Sequence, residues 1–300
     1  MEKSKKSRII LSNTGSDCLH ILNSGNGDIL QTIYMSANSG PHGITVCQNR
    51  QFLYFANSYS GNISVMEADS GQLLDSIGAG ATPCHIAEEG DRLYVSNFDS
   101  DSITIIDKQE KMGIACVPAG RMPHDILCCQ NRIAVAESGS DSIGILEGNT
   151  GEYIGRIPLR CAPVHVTKLG EEGSIAAACT AYGMEVKGYI CVVEPDAQLL
   201  LERIRIGNCL TDIAADPDGI HVYVTDGGKG CVYKVNLKSG LVVENLYLSG
   251  FPASITLDQT ASRLYVTDTL KDVIYVIKKG RMRLEHILPA GRETSHVVYL

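Results

Sequence analysis

A chain of 300 residues with a net charge of −8 lies near the upper size that one hydrophobic core supports, so it forms one large domain or two small ones. Its 44% hydrophobic and 20% charged residues exclude wholesale disorder. The acidic balance, 26 Lys+Arg against 34 Asp+Glu, lacks the positive field that holds phosphate backbones and argues against nucleic acid as a principal partner.

Residues 1–7 read as a basic, solvated tail, with Lys3, Lys5 and Lys6 followed by Arg8. Only Ile9, Ile10 and Leu11 come before Ser12-Asn13, whereas an export signal needs about 7–15 consecutive apolar residues. No later stretch approaches the roughly 18 apolar residues of a membrane span. The expectation is a cytoplasmic protein with no membrane partner. Its 11 cysteines include no C-x-x-C pair and are expected to be reduced, small, half-buried residues, Cys47, Cys116 and Cys191 among them.

From Ile9 onward one unit recurs. In chain order it reads Ile9-Ile10-Leu11-Ser12-Asn13, Phe52-Leu53-Tyr54-Phe55-Ala56-Asn57, Arg92-Leu93-Tyr94-Val95-Ser96-Asn97 and Ile133-Ala134-Val135-Ala136-Glu137. It continues as Ile175-Ala176-Ala177-Ala178-Cys179, Val222-Tyr223-Val224-Thr225-Asp226 and Leu264-Tyr265-Val266-Thr267-Asp268. The copies stand about 40 residues apart, the spacing of propeller blades. Each alternates with period 2, and most end at an Asn, Asp or similar turn former. A second strand follows (63–66, 103–106, 143–146, 232–235, 273–277), then a Gly-containing turn such as Ser70-Gly71 or Ser239-Gly240, and a third strand (73–77, 153–157). A turn with proline opens the fourth: Pro41-His42-Gly43-Ile44, Pro83-Cys84-His85-Ile86, Pro123-His124-Asp125-Ile126, Pro163-Val164-His165-Val166 and Pro252-Ala253-Ser254-Ile255.

Helical periodicity is not sustained anywhere for ten residues, so the chain is all-β. Seven sets of four strands cannot form one open sheet, because twist and exposed edges forbid it. Radial repetition resolves both problems and predicts a seven-bladed β-propeller of four-stranded antiparallel blades, a single domain over 8–300. The chain begins on a Leu-Tyr-Val-type strand and ends on an innermost-type strand, 295–298. The C-terminal strand is therefore predicted to complete the first blade beside residues 8–34 and close the ring.

The Leu-Tyr-Val-Ser/Thr-Asn/Asp strand, the Ser-Ile-x-Val-Ile-Asp-like strand and the Pro-x-x-Ile turn together resemble the YVTN-repeat β-propeller family over 8–300. The copies at Ile133 and Ile175 have lost the tyrosine. The chain has no Trp, unlike WD40 repeats, and lacks the recurring paired glycines of kelch repeats. The resemblance implies the fold and leaves the function open.

Aligning the residue just before the Ile/Val of each innermost strand gives a ring: His296, Gly43, His85, Asp125, His165, Asp212, Ser254. The position before it adds His42, Cys84 and His124, so this window holds five of the eight histidines. All belong to one end of the propeller, the entry face, where the loops after Leu-Tyr-Val also lie. His85, Asp125, His165, Asp212 and His296 are candidate ligands of one divalent metal ion, because imidazoles and carboxylates suit Zn, Mn or Fe. His85 and His296 are candidate acid–base residues. Strand alternation points His42 and His124 away from His85 and His165, and these two are assigned to ligand binding. So are Tyr59, Phe98 and the inserted loop bearing Tyr182 and Met184 on the same face. Inherited turn chemistry would account for the histidines equally well.

Two functions fit. One is a binding or scaffold module that presents the His/Asp-lined entry face to a small ligand or partner protein. The other is a divalent-metal-dependent lyase or lactonase, an activity implied by the resemblance to propeller enzymes of that kind. No P-loop, G-x-G-x-x-G, H-E-x-x-H or G-x-S-x-G motif occurs.

Overall fold

A computed structural model describes residues 7–300 except 172, 259 and 261; Lys3, Lys5 and Lys6 of the expected tail lie outside the described residues. Seven four-stranded antiparallel sheets are arranged as blades around one axis. Their inner strands are Thr294–Tyr299 (blade 1), Pro41–Val46 (blade 2), Pro83–Glu89 (blade 3), Pro123–Cys129 (blade 4), Ala162–Lys168 (blade 5), Leu210–Ala215 (blade 6) and Pro252–Leu257 (blade 7). In blades 2–7 each inner strand pairs with the Leu-Tyr-Val-type strand that follows it, for example Arg92–Asn97 in blade 3. The expected closure is present: Thr294–Tyr299 pairs antiparallel with Arg8–Asn13, with Val298 opposite Ile10. Reciprocal bonds between the N–H and C=O groups of Arg8 and Leu300 extend that clasp.

The apolar faces of successive blades meet in sandwiched layers. Between blades 4 and 5, Ile143 and Ile145 pack on Ile175, Ala177 and Val193. The repeat tyrosines Tyr94, Tyr223 and Tyr265 are fully buried. Tyr94 satisfies its hydroxyl by donating to the Gly148 carbonyl at 2.7 Å. Asn13, Asn97, Asp226 and Asp268, which end four of the repeat strands, brace the turn entering the inner strand of their own blade. Asn97 Oδ1 accepts the Gly80 N–H at 3.0 Å, and the Asp226 carboxylate accepts those of Asn208, Cys209 and Lys229. These buried polar groups are thus tied to otherwise unpaired backbone, as expected of turn formers. Cys47 and Cys191 are buried, whereas Cys116 is exposed because its strand, Met112–Pro118, is the outer edge of blade 3. No helix among the described residues is long and apolar enough to cross a membrane.

One irregularity recurs in every blade. Where the inner strand begins, its register against the next strand slips by one residue. Pro83 pairs with Asn97 but Ile86 with Val95, and Pro123 pairs with Glu137 but Ile126 with Val135. The same slip occurs at Pro41/Ile44, Pro163/His165, Leu210/Asp212, Pro252/Ile255 and Thr294/His296. Two residues there face one partner, which is a β-bulge, and a bulge re-aims side chains.

Candidate functional site

The bulges gather the histidines. Strict alternation sends His42 and His124 away from His85 and His165, and the structure corrects this. Ring centroids lie 5.2 Å apart for His42–His85, 5.2 Å for His85–His124, 5.1 Å for His124–His165 and 4.8 Å for His85–His165. His296 is 5.0 Å from His85. All five imidazoles therefore plug the axis at the entry face. A cavity of about 390 Å³ adjoins them, lined by His85, Asp125, His165, Asp212 and His296.

Hydrogen bonding divides the ring residues into two kinds. Four of them stitch neighbouring blades by accepting a backbone N–H from the next inner strand. His296 Nδ1 accepts from Ile44 at 3.0 Å, Asp125 Oδ2 from Val166 at 2.8 Å, and Asp212 Oδ2 from Ile255 at 2.8 Å. Ser254 Oγ accepts from Val297 at 3.4 Å. His85 and His165 are excused from this task, because the amides they would take, those of Ile126 and Ile213, go to Asp125 Oδ1 and Asp212 Oδ1.

The free imidazoles are held as metal ligands usually are, with one nitrogen turned to a supporting acceptor. His85 Nδ1 lies 3.5 Å from Asp125 Oδ1; His165 Nδ1 lies 3.4 Å from Asp125 Oδ2 and 3.5 Å from Asp212 Oδ1. His124 Nδ1 donates to the Val164 carbonyl at 3.1 Å, and His42 Nδ1 to that of Cys84 at 3.3 Å. His85 Nε2 is buried without a hydrogen-bond partner. One ring nitrogen from each of His85, His124 and His165 falls within a common span of 4.8 Å. Nitrogens bound to zinc at about 2.0–2.1 Å stand roughly 3.3 Å apart, so an ion there needs the rings to close by up to about 1.5 Å. His296 differs: its Nδ1 already accepts an N–H, so its neutral ring carries the proton on Nε2 and offers that nitrogen as a donor. Asp125 and Asp212 have their oxygens engaged by backbone N–H groups and by imidazoles, the position of supporting groups.

Burial, together with the neighbouring imidazoles, pushes His85 and His124 well below the usual histidine range. Burial and the charge of His165 lower His42 to about 4; burial likewise lowers His296 to about 4. Burial also opposes charge on His165, but Asp212 and Asp125 outweigh it and raise His165 to about 9. Burial alone would raise Asp125; His165 and the N–H groups of Val166 and Ile126 hold it down. The metal-free cluster thus carries one imidazolium among neutral rings. Unfolding at mildly acid pH adds protons to rings that are neutral in the fold, so stability falls as pH drops from about 6.5 towards 4. The His165 contribution is complete below about 6.5 and is lost as pH rises through about 9. Calorimetry of chelator-treated protein should show the melting temperature declining on both sides of pH 6.5; a flat profile between 6.5 and 4 contradicts the assignment.

Gly43, at the ring position of blade 2, makes room for this arrangement. A Cβ there would stand 2.3 Å from the Cys84 carbonyl oxygen and 2.8 Å from His85 Nδ1. Gly43→Ala should displace both His85 and the acceptor of His42, at a cost of about 1–3 kcal/mol. An unchanged melting temperature would contradict that crowding.

The aromatic candidates divide. Phe98, in the single turn Phe98–Ser100, stands edge-on to His124 with ring centroids 6.1 Å apart. Tyr59 is 65% exposed and lies against Gly40, while Tyr182 and Met184 protrude from the inserted loop, at 71% and 107% exposure. Of the four, Phe98 is brought to the imidazoles. Sequence reasoning missed the convergence of His42 and His124 and the spacing role of Gly43; the signal was the proline that opens most inner strands.

No protein-family model matches the chain, and no curated protein matches it. Solved structures do. The chain is similar to Kuenenia stuttgartiensis hydrazine synthase, at 19% identity and a TM-score of 0.78 over 90% of this chain and 92% of that one. It is similar to a functionally unknown protein of Desulfotomaculum acetoxidans, at 10% identity and a TM-score of 0.84 over 97% and 98%. It also resembles a candidate 6-phosphogluconolactonase of Bacteroides fragilis, at 16% identity and a TM-score of 0.78 over 100% and 99%. These likenesses show the fold alone.

Proposed function

We propose that this propeller is a binding module whose ligand is a divalent transition-metal ion, held at the entry face by His85, His124 and His165. The observation that carries this reading is the release of His85 and His165 from the blade-stitching role that His296, Asp125, Asp212 and Ser254 perform. His85 Nε2, buried without a protein partner, is left open to a cation. Asp125 and Asp212 orient the ligands and supply negative charge. His42 and Phe98 border the ion on the entry side, where a small ligand or partner protein reaches it. The repeats align the chain with YVTN-type propellers, and its 11 free thiols suit a reducing, cytoplasmic setting.

A lactonase-type hydrolase is the second reading. Three imidazoles leave a zinc ion one open position, the arrangement of catalytic rather than structural sites. The fold shared with two candidate 6-phosphogluconolactonases directs the substrate search to lactones. Elemental analysis of protein purified without chelator, followed by titration with Zn, Mn and Fe, tests the common premise. Near one equivalent is expected, and zero uptake of every ion removes both readings. Lactone hydrolysis by the loaded protein then separates the enzyme from the binding module.

A further inference from the structure

A second cluster lies away from the axis, between blades 4 and 5. Cys161 stands in the turn entering the inner strand of blade 5, Cys179 in the strand Ile175–Ala181, and Cys191 in the strand Lys187–Glu194. Their relative exposures are 1%, 0% and 0%. Cys161 Sγ and Cys191 Sγ are 3.7 Å apart, and all three sulfurs fall within 4.8 Å of one another. Cysteine often packs as a small apolar residue, and Ile143, Ile157, Leu159 and Val193 surround these three. Ordinary packing accounts for buried thiols singly. It does not account for three sulfurs from three separate segments converging on one point.

The spacing matches a coordination shell. Three sulfurs bound at about 2.3 Å to one ion stand roughly 3.8–4.0 Å apart, so this cluster needs shifts of under about an ångström. The cluster also has a counter-charge. Arg203 pairs with Cys191 in register, lies 3.8 Å over the Tyr189 ring, and donates to the Arg160 carbonyl beside Cys161 at 3.3 Å. That guanidinium is placed to offset the negative charge of a thiolate–metal group.

We infer that Cys161, Cys179 and Cys191 form a three-coordinate site for a soft monovalent ion, Cu(I). Thiolates select soft ions, and among the described residues no fourth His, Cys, Asp or Glu joins these three, as a structural zinc site would require. Binding replaces the thiol protons, which pass to solvent, and changes no oxidation state. The site is independent of the imidazole centre.

The test delivers Cu(I) anaerobically to the reduced full-length chain against a competing copper chelator. One equivalent is expected to transfer, with X-ray absorption showing sulfur as the sole near neighbour. Cys161→Ala lies in a turn and spares the strand ladder; its fold is checked by melting temperature. It should weaken uptake by at least about 100-fold, beyond the 10–100-fold that loss of a supporting residue gives. His85→Ala with His165→Ala should leave Cu(I) uptake unchanged. Absence of transfer, nitrogen among the near neighbours, or full uptake by a folded Cys161→Ala variant would each overturn the assignment.

Discussion

Replacing His85 and His165 together by alanine is expected to weaken zinc binding by at least about 100-fold while the metal-free protein keeps its fold at a lower stability, because Asp125 and Asp212 lose the His165 imidazolium between them. Both parts follow from the division of labour around the ring. These two imidazoles do not accept the N–H of the following blade, so their removal leaves the stitches of His296, Asp125 and Asp212 in place. Removing His85 also removes a buried nitrogen that lacks a partner. At this chain length 1 kcal/mol moves the melting temperature by about 1.5–2 °C, so the stabilisation that zinc confers is readable by calorimetry. Zinc at 100 times its dissociation constant should stabilise the wild type by about 2.7 kcal/mol and the variant hardly at all. Equal zinc-induced shifts in both proteins would defeat the metal assignment.

Deleting residues 294–300 is expected to abolish cooperative unfolding near the wild-type temperature. The segment is the inner strand of blade 1, and the C-terminal end of the chain is clasped to its N-terminal strand, Arg8–Asn13, through non-covalent pairing alone. Its loss exposes the Arg8–Asn13 edge, uncovers the layer containing Ile9, Leu11 and Val297, and removes the His296 stitch to blade 2. Each large apolar side chain that returns to water costs about 1.5–3 kcal/mol, against a total stability of about 5–15 kcal/mol. A truncated chain that melts like the full one would mean that the clasp does not hold the ring.

The architecture was legible because seven copies of one strand pattern announce a period, and a period fixes topology, phase and closure together. The candidate centre was legible only in part. Alignment of the Pro-x-x-Ile turns located the right window, but period-2 alternation separated His42 and His124 from His85 and His165. A bulge at every inner strand undoes that alternation, and a bulge is an extra residue that pattern counting treats as an ordinary one. The roles of Asp125 and Asp212 were hidden for another reason: they depend on N–H groups of the next blade, about 40 residues away in the chain. Cys161, Cys179 and Cys191 stayed hidden because no two of them share a short motif; the turn and two strands that carry them meet only once blade 5 has folded.

His85, His124 and His165 ride on three successive spokes of a wheel that has no hub. Without an ion, those spokes meet through side-chain packing and hydrogen bonds between neighbouring blades. An ion gripping all three converts three of the seven blades into one stiff arc. Its escape then requires the spokes to splay together, and its residence time becomes a property of the wheel more than of any one imidazole.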